Sequence, residues 1–232
     1  MKNDFEKNIA GLEQNMNMLN NEIAELVGIL LGDGCIGVYD CKTGNKIKKQ
    51  YRVKVTLHSK DDVEYAKHVC KLLEKQFSVK PLIRFRKNEN TMDILVFGQN
   101  FVKILTEEIG LKMSPKRHIA VIPKTLINSE LELDVIRGYF DTDGSVVLTN
   151  NNGTLYPRLE MKICPSPMQK QIPEILQRHN FKFGVYDAGN GEVRVQLNGK
   201  KELEKWVSNI GFSNPKYQEK LKYFKKSSKT RH

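Results

Sequence analysis

The chain has 232 residues, 39% hydrophobic and 28% charged, the balance of a globular protein with room for one large domain or two of about 110 residues each. Lys and Arg number 38 against 27 Asp and Glu, and the formal net charge of +11 points to a polyanionic partner, of which nucleic acid is the commonest. No apolar run approaches ~18 residues and no basic amphipathic helix stands out, so a membrane partner is not expected. Cys35, Cys41, Cys70 and Cys164 form no CxxC pair, which argues against zinc and against a disulfide framework. The first thirty residues lack a basic stretch followed by an apolar one, so an intracellular chain with reduced thiols is expected.

Phe5, Ile9, Leu12, Met16 and Leu19 recur at steps of four and three, which predicts an accessory amphipathic helix over 4–20. A second helix runs from Glu22 to Gly32 and is apolar on nearly all sides, the pattern of a buried helix. Strands are expected at 35–39 and 51–58, separated by a basic loop holding Lys42, Lys46, Lys48 and Lys49. In the second strand Tyr51, Val53, Val55 and Leu57 alternate with Arg52, Lys54, Thr56 and His58, giving it one basic, polar face. Ser59 caps a helix that presents Val63, Ala66, Cys70, Leu73 and Phe77 inward. A hairpin (81–87 and 91–98, turning at 88–90), a short helix at 100–109 and a basic connector at 110–128 follow.

The second half repeats the order. Ser129 and Glu132 form a capping box for a helix ending at Asp143-Gly144. Strands at 145–149 and 156–163 flank a loop at 150–153; a helix at 167–179 contains Pro173; strands at 183–187 and 192–197 meet at Asn190-Gly191; a helix at 200–210 closes the unit. Each half reads αββαββα, an internal duplication of elements with low residue identity. The boundaries expected are an accessory segment at 1–20, repeats at 21–125 and 126–213, and a basic tail at 214–232 that is either a frayed helix or solvated charge.

Each repeat opens on a copy of one pattern, LVGILLGDG at 26–34 and IRGYFDTDG at 136–144. Gly28 and Gly32 lie four apart on one helical face, and Gly138 and Thr142 hold the matching positions, so the two helices are expected to pack through these small residues. That packing brings Asp33 and Asp143 together at the helix C-termini. A carboxylate is poorly placed there, because the helix dipole is negative at that end, and a second carboxylate makes it worse. One Asp-Gly alone would read as a helix stop. Two, each opening an equivalent run of elements in a basic protein, read as a cation site, and carboxylates with backbone carbonyls and water suit Mg²⁺ in phosphodiester hydrolysis.

The two segments resemble the paired motifs of the LAGLIDADG homing endonucleases, in the single-chain form with two copies, and the likeness runs from about 22 to 212. The resemblance implies an α+β fold with pseudo-twofold symmetry: two central helices under two four-stranded antiparallel sheets that form a DNA-binding saddle. It implies that Asp33 and Asp143, with Gly32 and Thr142 beside them, bind metal and cut one DNA strand each across the minor groove, leaving short 3′ overhangs. Mg²⁺ is the implied cofactor, with Mn²⁺ able to substitute and Ca²⁺ supporting binding without efficient cleavage. Leu31 replaces the family's earlier aspartate in the first motif, while Asp141 keeps it in the second; that position is not the metal-binding one. The family also places a basic residue near each scissile bond, for which His58 and Lys162 are the candidates by strand position and Lys54 and Lys116 the alternatives.

DNA contacts are expected from Arg52, Lys54, Thr56, Arg84, Arg86, Arg158, Glu160, Lys162, Arg194 and Gln196, because long side chains on a two-stranded ribbon reach major-groove base edges. Loop lysines are expected to hold phosphates. The partner implied is a long double-stranded target, pseudo-palindromic or asymmetric, bound by a monomer in a prokaryotic cytoplasm or nucleoid or in an organelle matrix. The alternative is a non-cleaving relative, either a group I intron maturase or a transcriptional regulator. An endonuclease domain inside an intein fits less well, since no splicing blocks or His-Asn junction are evident and the chain ends Arg231-His232.

Overall fold

The computed structural model describes residues 19–229 apart from 45 and 153. Residues 4–18 of the amphipathic helix expected over 4–20 and the end of the tail at 230–232 lie outside the described residues, and Leu19 and Asn20 are not helical. Helix α1 (Asn21–Leu31) starts where the Asn20 side chain accepts the amide of Ile23 at 2.9 Å, a local N-cap. It is followed by β1 (Gly34–Thr43), β2 (Lys46–His58), α2 (Val63–Phe77), β3 (Leu82–Phe85), β4 (Thr91–Phe97) and α3 (Gln99–Lys103), which runs into a π-turn at Ile104–Glu108. The second unit comprises α4 (Glu132–Asp143), β5 (Gly144–Asn151), β6 (Thr154–Ile163), α5 (Met168–Arg178), β7 (Gly184–Asp187), β8 (Val193–Asn198) and α6 (Lys200–Asn209), after which the tail forms α7 (Pro215–Lys229). The two antiparallel sheets have equivalent orders, β1-β2-β4-β3 and β5-β6-β8-β7. No helix among the described residues is long and apolar enough to cross a membrane.

One face of each sheet packs into the core. Val53, Val55 and Leu57 of β2 are buried and pair with Val96, Ile94 and Met92 of β4. Leu159, Met161 and Ile163 of β6 repeat this against Leu197, Val195 and Val193. The intervening residues therefore form the opposite face of each sheet, since side chains alternate along a strand. Behind the second sheet Phe140, Trp206, Phe212 and Tyr217 pack as an aromatic cluster, with Phe140 and Trp206 ring centroids 4.7 Å apart.

Three local expectations are corrected. The loop expected around Lys42, Lys46, Lys48 and Lys49 is strand: Asp40, Cys41, Lys42 and Thr43 pair with Lys49, Lys48, Ile47 and Lys46. Both faces of this ribbon tip meet solvent, so no apolar alternation marks it, and backbone pairing alone sustains it. The second ribbon likewise extends through Asn151 and Thr154. Helix α2 starts at Val63, not after Ser59, because the Asp62 carboxylate accepts the amide of His58 at 3.2 Å and ties the turn back on itself. The capping box at Ser129 and Glu132 is displaced by one residue: Glu132 accepts the amide of Asn128 at 2.8 Å, and Ser129 Oγ accepts that of Leu131 at 3.2 Å.

Helices α1 and α4 approach each other closely enough for backbone to meet backbone. A Cβ added to Gly28 would stand 2.1 Å from the Val135 carbonyl oxygen, and one added to Gly138 would stand 2.0 Å from that of Glu25. Both obstacles are backbone, so neither can be moved without separating the helices. A buried polar cluster fixes the other end of this interface: Arg137 donates to Glu25 at 2.8 Å and lies 2.7 Å from Asp134, while His68 meets Glu25 at 2.7 Å.

Gly138→Ala is expected to lower stability by about 1–3 kcal/mol or more, the range for overpacking a closed interface. Urea unfolding measures it, and an unchanged midpoint would show that the helices do not depend on this contact.

Candidate metal and cleavage site

The last turns of α1 and α4 deliver Asp33 and Asp143 to the same place. A Cβ on Gly32 would lie 3.2 Å from Asp143 Oδ2 and 2.1 Å from Thr142 Oγ1, so the end of one motif abuts the end of the other. Thr142 is held in this position by donating its hydroxyl to the Tyr139 carbonyl at 2.9 Å. Beyond Asp33, its own carbonyl accepts the Thr56 amide at 3.2 Å, locking the motif to the start of the first sheet. Asp33 is half-buried and Asp143 is open to solvent. Asp143 lies at a cavity of about 300 Å³ whose lining includes Gly32, Lys116, Tyr139 and Cys164.

Burial and charge act together on the two acids. Desolvation by the surrounding protein, and then the charge of Asp33, raise the Asp143 carboxyl above its ordinary range, although Lys116 pulls the other way. Asp33 is also raised, by desolvation first and by nearby Asp62, against Lys116 and Lys216. Burial is the larger cause at both acids; Asp33 adds to it at Asp143, and at Asp33 Lys116 is the strongest opposing charge. Among the described residues no cluster of three or more His, Cys, Asp or Glu side chains is poised to hold a metal. A pair of carboxylates from adjoining helix ends, beside a cavity, nevertheless fits a hard divalent ion that keeps part of its water shell. The Gly32 carbonyl, expected as a further metal-site group, already accepts a hydrogen bond from Lys116.

Lys116 is the basic group that the structure brings to both aspartates. Its Nζ donates to the carbonyls of Leu30 (2.8 Å), Leu31 (2.6 Å) and Gly32, the open carbonyls at the C-terminus of α1. Burial lowers its pKa, and the charges of Asp143 and then Asp33 oppose that shift. Lys216 approaches on the segment that follows the second repeat; its Nζ lies 2.8 Å from Asp62 of the first repeat, and its charge also bears on Asp33. Asp141 holds the turn that delivers it, because its Oδ2 accepts the amides of Ser213 (2.7 Å) and Asn214 (3.1 Å). Lys216 escaped the sequence reading, which assigned it to the tail. The signal was a second internal repeat: Ile109-Gly110 leads to Ser114-Pro115-Lys116, and Ile210-Gly211 leads to Ser213-Asn214-Pro215-Lys216.

The two first-choice bases are turned elsewhere. His58 Nδ1 accepts the Asp61 amide at 3.2 Å and lies 3.1 Å from the Asp61 carboxylate. Lys162 pairs with Glu192 at 2.5 Å. The basic groups whose charges bear on the aspartates, Lys116 and Lys216, arrive instead on segments that follow each repeat.

The outward faces carry the remaining expected residues. On the first sheet are Lys54, Thr56 and Arg52, whose guanidinium stacks on the Tyr39 ring at 4.2 Å, and Arg84 and Arg86, which both bond to Asp93. On the second, Glu160 pairs with Arg158 at 2.9 Å and with Arg194 at 3.4 Å, and Gln196 donates to Asn198 at 2.8 Å. Glu160 therefore orders its neighbours and offers little free acceptor capacity.

Asp143→Asn in a metal-free buffer is expected to be more stable than the wild type at pH 8, with the gap closing as pH falls. Between the ordinary value of 3.8 and the raised value, about 7, the folded wild type holds a proton that the unfolded chain has lost. Wild-type stability therefore falls as pH rises through that window, and the neutral amide does not share the loss. Urea midpoints of both proteins across pH 4–8 decide this, and a gap that widens toward low pH would contradict it.

Comparison with known proteins agrees with this architecture. I-DmoI, solved with DNA and Mn, superposes with a TM-score of 0.57 at 18% identity over 83% of this chain and 97% of that one. I-LtrWI, solved bound to target DNA, gives 0.59 at 13% identity over 91% and 92%, and I-SmaMI, solved on uncleavable DNA, gives 0.59 at 11% over 88% and 89%. Among curated sequences, a replication factor C small subunit of Methanocaldococcus jannaschii is 26% identical over 87% of this chain, and a DNA polymerase of Thermococcus kodakarensis is 25% identical over 81%. The chain spans about a tenth of the length of those two proteins (10% and 11%). The family model described as the LAGLIDADG DNA endonuclease family matches residues 23–203, most of the chain, and with two motif helices under two equivalent sheets the protein belongs to that family.

Proposed function

We propose that the protein is a site-specific homing endonuclease that hydrolyses one phosphodiester in each strand of a double-stranded DNA target, across the minor groove, leaving short 3′ overhangs. The observation that carries this reading is the meeting of Asp33 and Asp143 at adjoining helix ends, where burial raises both carboxyls despite the lysines nearby. Asp33 and Asp143 would hold Mg²⁺, or Mn²⁺ in its place, and the bound ion supplies Lewis-acid stabilisation of the oxygens around phosphorus. Lys116, fixed by three carbonyls, places a positive charge next to both carboxylates, where the scissile phosphates gather negative charge. Lys216 does the same on the Asp33 side. The solved relatives named above were captured with DNA, one of them with Mn, and the net charge of +11 suits the same partner.

Position on the duplex comes from phosphate contacts by loop lysines, and sequence is read by the outward strand residues. Binding is expected to weaken steeply with salt, because neutralised phosphates release counterions.

Incubation with its own genomic locus in Mg²⁺ is expected to give double-strand cuts. Asp33→Asn or Asp143→Asn should abolish cutting or leave nicks while DNA binding survives. Lys116→Met should slow cutting by about 10²–10⁴-fold, the range for a single charged group at a reacting phosphate or proton. Full cutting by either aspartate variant would sink the assignment. A wild type that binds DNA in Mg²⁺ yet never cuts would favour a maturase or regulator.

A further inference from the structure

The outward face of the first sheet is not uniformly basic. At its centre stands Asp93 on β4, whose side chain is 1% exposed. Thr56 Oγ1 donates to Oδ1 at 2.9 Å, Arg86 donates Nη2 to Oδ1 at 2.8 Å and Nε to Oδ2 at 3.0 Å, and Arg84 donates Nη2 to Oδ2 at 3.3 Å. Burial alone would raise this acid, yet the bonds from Arg86, Thr56 and Arg84 outweigh burial and hold it at about 2. It is therefore a permanent negative charge on a surface meant for a polyanion. General attraction to DNA would be stronger without it.

The two arginines it holds are not equivalent. Arg86 spends its fork inside the protein: Nε and Nη2 go to Asp93, and Nη1 goes to Glu89 at 3.2 Å. Arg84 touches Asp93 through one nitrogen only, and its side chain is 60% exposed, against 32% for Arg86. The free edge of Arg84 is the kind that pairs with guanine O6 and N7 in a major groove.

The second sheet argues that this clamp serves reading rather than folding. Gly34 pairs with Val55 and Gly144 with Met161, which aligns Thr56 with Lys162. Thr56 faces Asp93 across the ladder and Lys162 faces Arg194, so Arg194 stands where Asp93 stands in the first sheet. The position of Arg84 is held by Tyr186. A carboxylate that the repeated unit needed for stability would recur at this position, and a base of opposite sign replaces it.

Resting on the DNA-cleaving function proposed above, we propose that Asp93 is a specificity-positioning residue: it makes Arg86 a strut and aims Arg84 at one guanine of the half-site under the first sheet. Arg86 then reads no base itself, although its sequence position beside Arg84 gave it the same expected role.

The experiment is selection from a fully randomised duplex library in Ca²⁺ buffer, using the full chain as wild type, Asp93→Asn, Arg84→Lys and the double variant. Melting temperatures and affinities for a random-sequence duplex are measured alongside. The wild type should enrich a guanine at a position where Arg84→Lys loses it. Asp93→Asn should lose about tenfold of that same preference, as expected for a disordered bidentate pair, while its affinity for random duplex stays equal or rises. The double variant should lose no more than the singles. A folded Asp93→Asn that keeps the guanine preference would overturn the proposal, as would an equal loss of specific and random binding. An Asp93→Asn that does not fold would also overturn the proposal, since the clamp would then be structural, and an unchanged profile in Arg84→Lys would remove the reader. Failure of the wild type to retain any duplex would instead bring down the DNA-cleaving reading and this inference together.

Discussion

Everything at the site depends on how closely two helix backbones approach. With a hydrogen in place of a side chain at Gly28 and Gly138, α1 and α4 touch backbone to backbone, and their C-termini have nowhere to go but side by side. The chain continues from each terminus straight into a sheet, at Gly34 and at Gly144. One contact therefore sets the separation of Asp33 from Asp143 and the placement of both sheets above them. The same geometry concentrates negative charge where helix dipoles already oppose it, and this strain in electrostatic terms is what a divalent ion would relieve.

The protein compensates part of that charge with groups brought from far along the chain. Lys116 closes the carbonyl end of α1, and the second repeat answers with Asn214, which donates to the Asp141 carbonyl at 3.1 Å, and Tyr217, which donates to that of Gly144. Lys216, on the same turn, reaches across to Asp62 in the first repeat. The two connectors thus perform related tasks with different atoms. Leu31 in the first motif, buried and apolar, has no counterpart of the tether that Asp141 provides.

How legible this was varies with the physics of each element. The motif helices were readable because apolar residues all round and an Asp-Gly stop mark a buried helix and its end. The sheets were readable wherever one face is buried, as in β2 and β6. The ribbon tips were not, since strands with two wet faces leave no period-2 signature. Strand parity also does not bring His58 or Lys162 to the aspartates: His58 Nδ1 accepts the Asp61 amide and Lys162 pairs with Glu192, while the lysine whose charge bears on both aspartates sits on an irregular connector. Arg84 and Arg86 look alike in sequence, and only the burial of Asp93 between them separates one from the other.

Whether the two aspartates, one from each repeat, act as one metal site is tested most directly by anomalous diffraction from a complex with a selected DNA duplex, grown in Mn²⁺. The prediction is manganese at about 2–2.4 Å from carboxylate oxygens of both Asp33 and Asp143. Manganese bound elsewhere on the protein, with both carboxylates bare beneath the DNA, would contradict it.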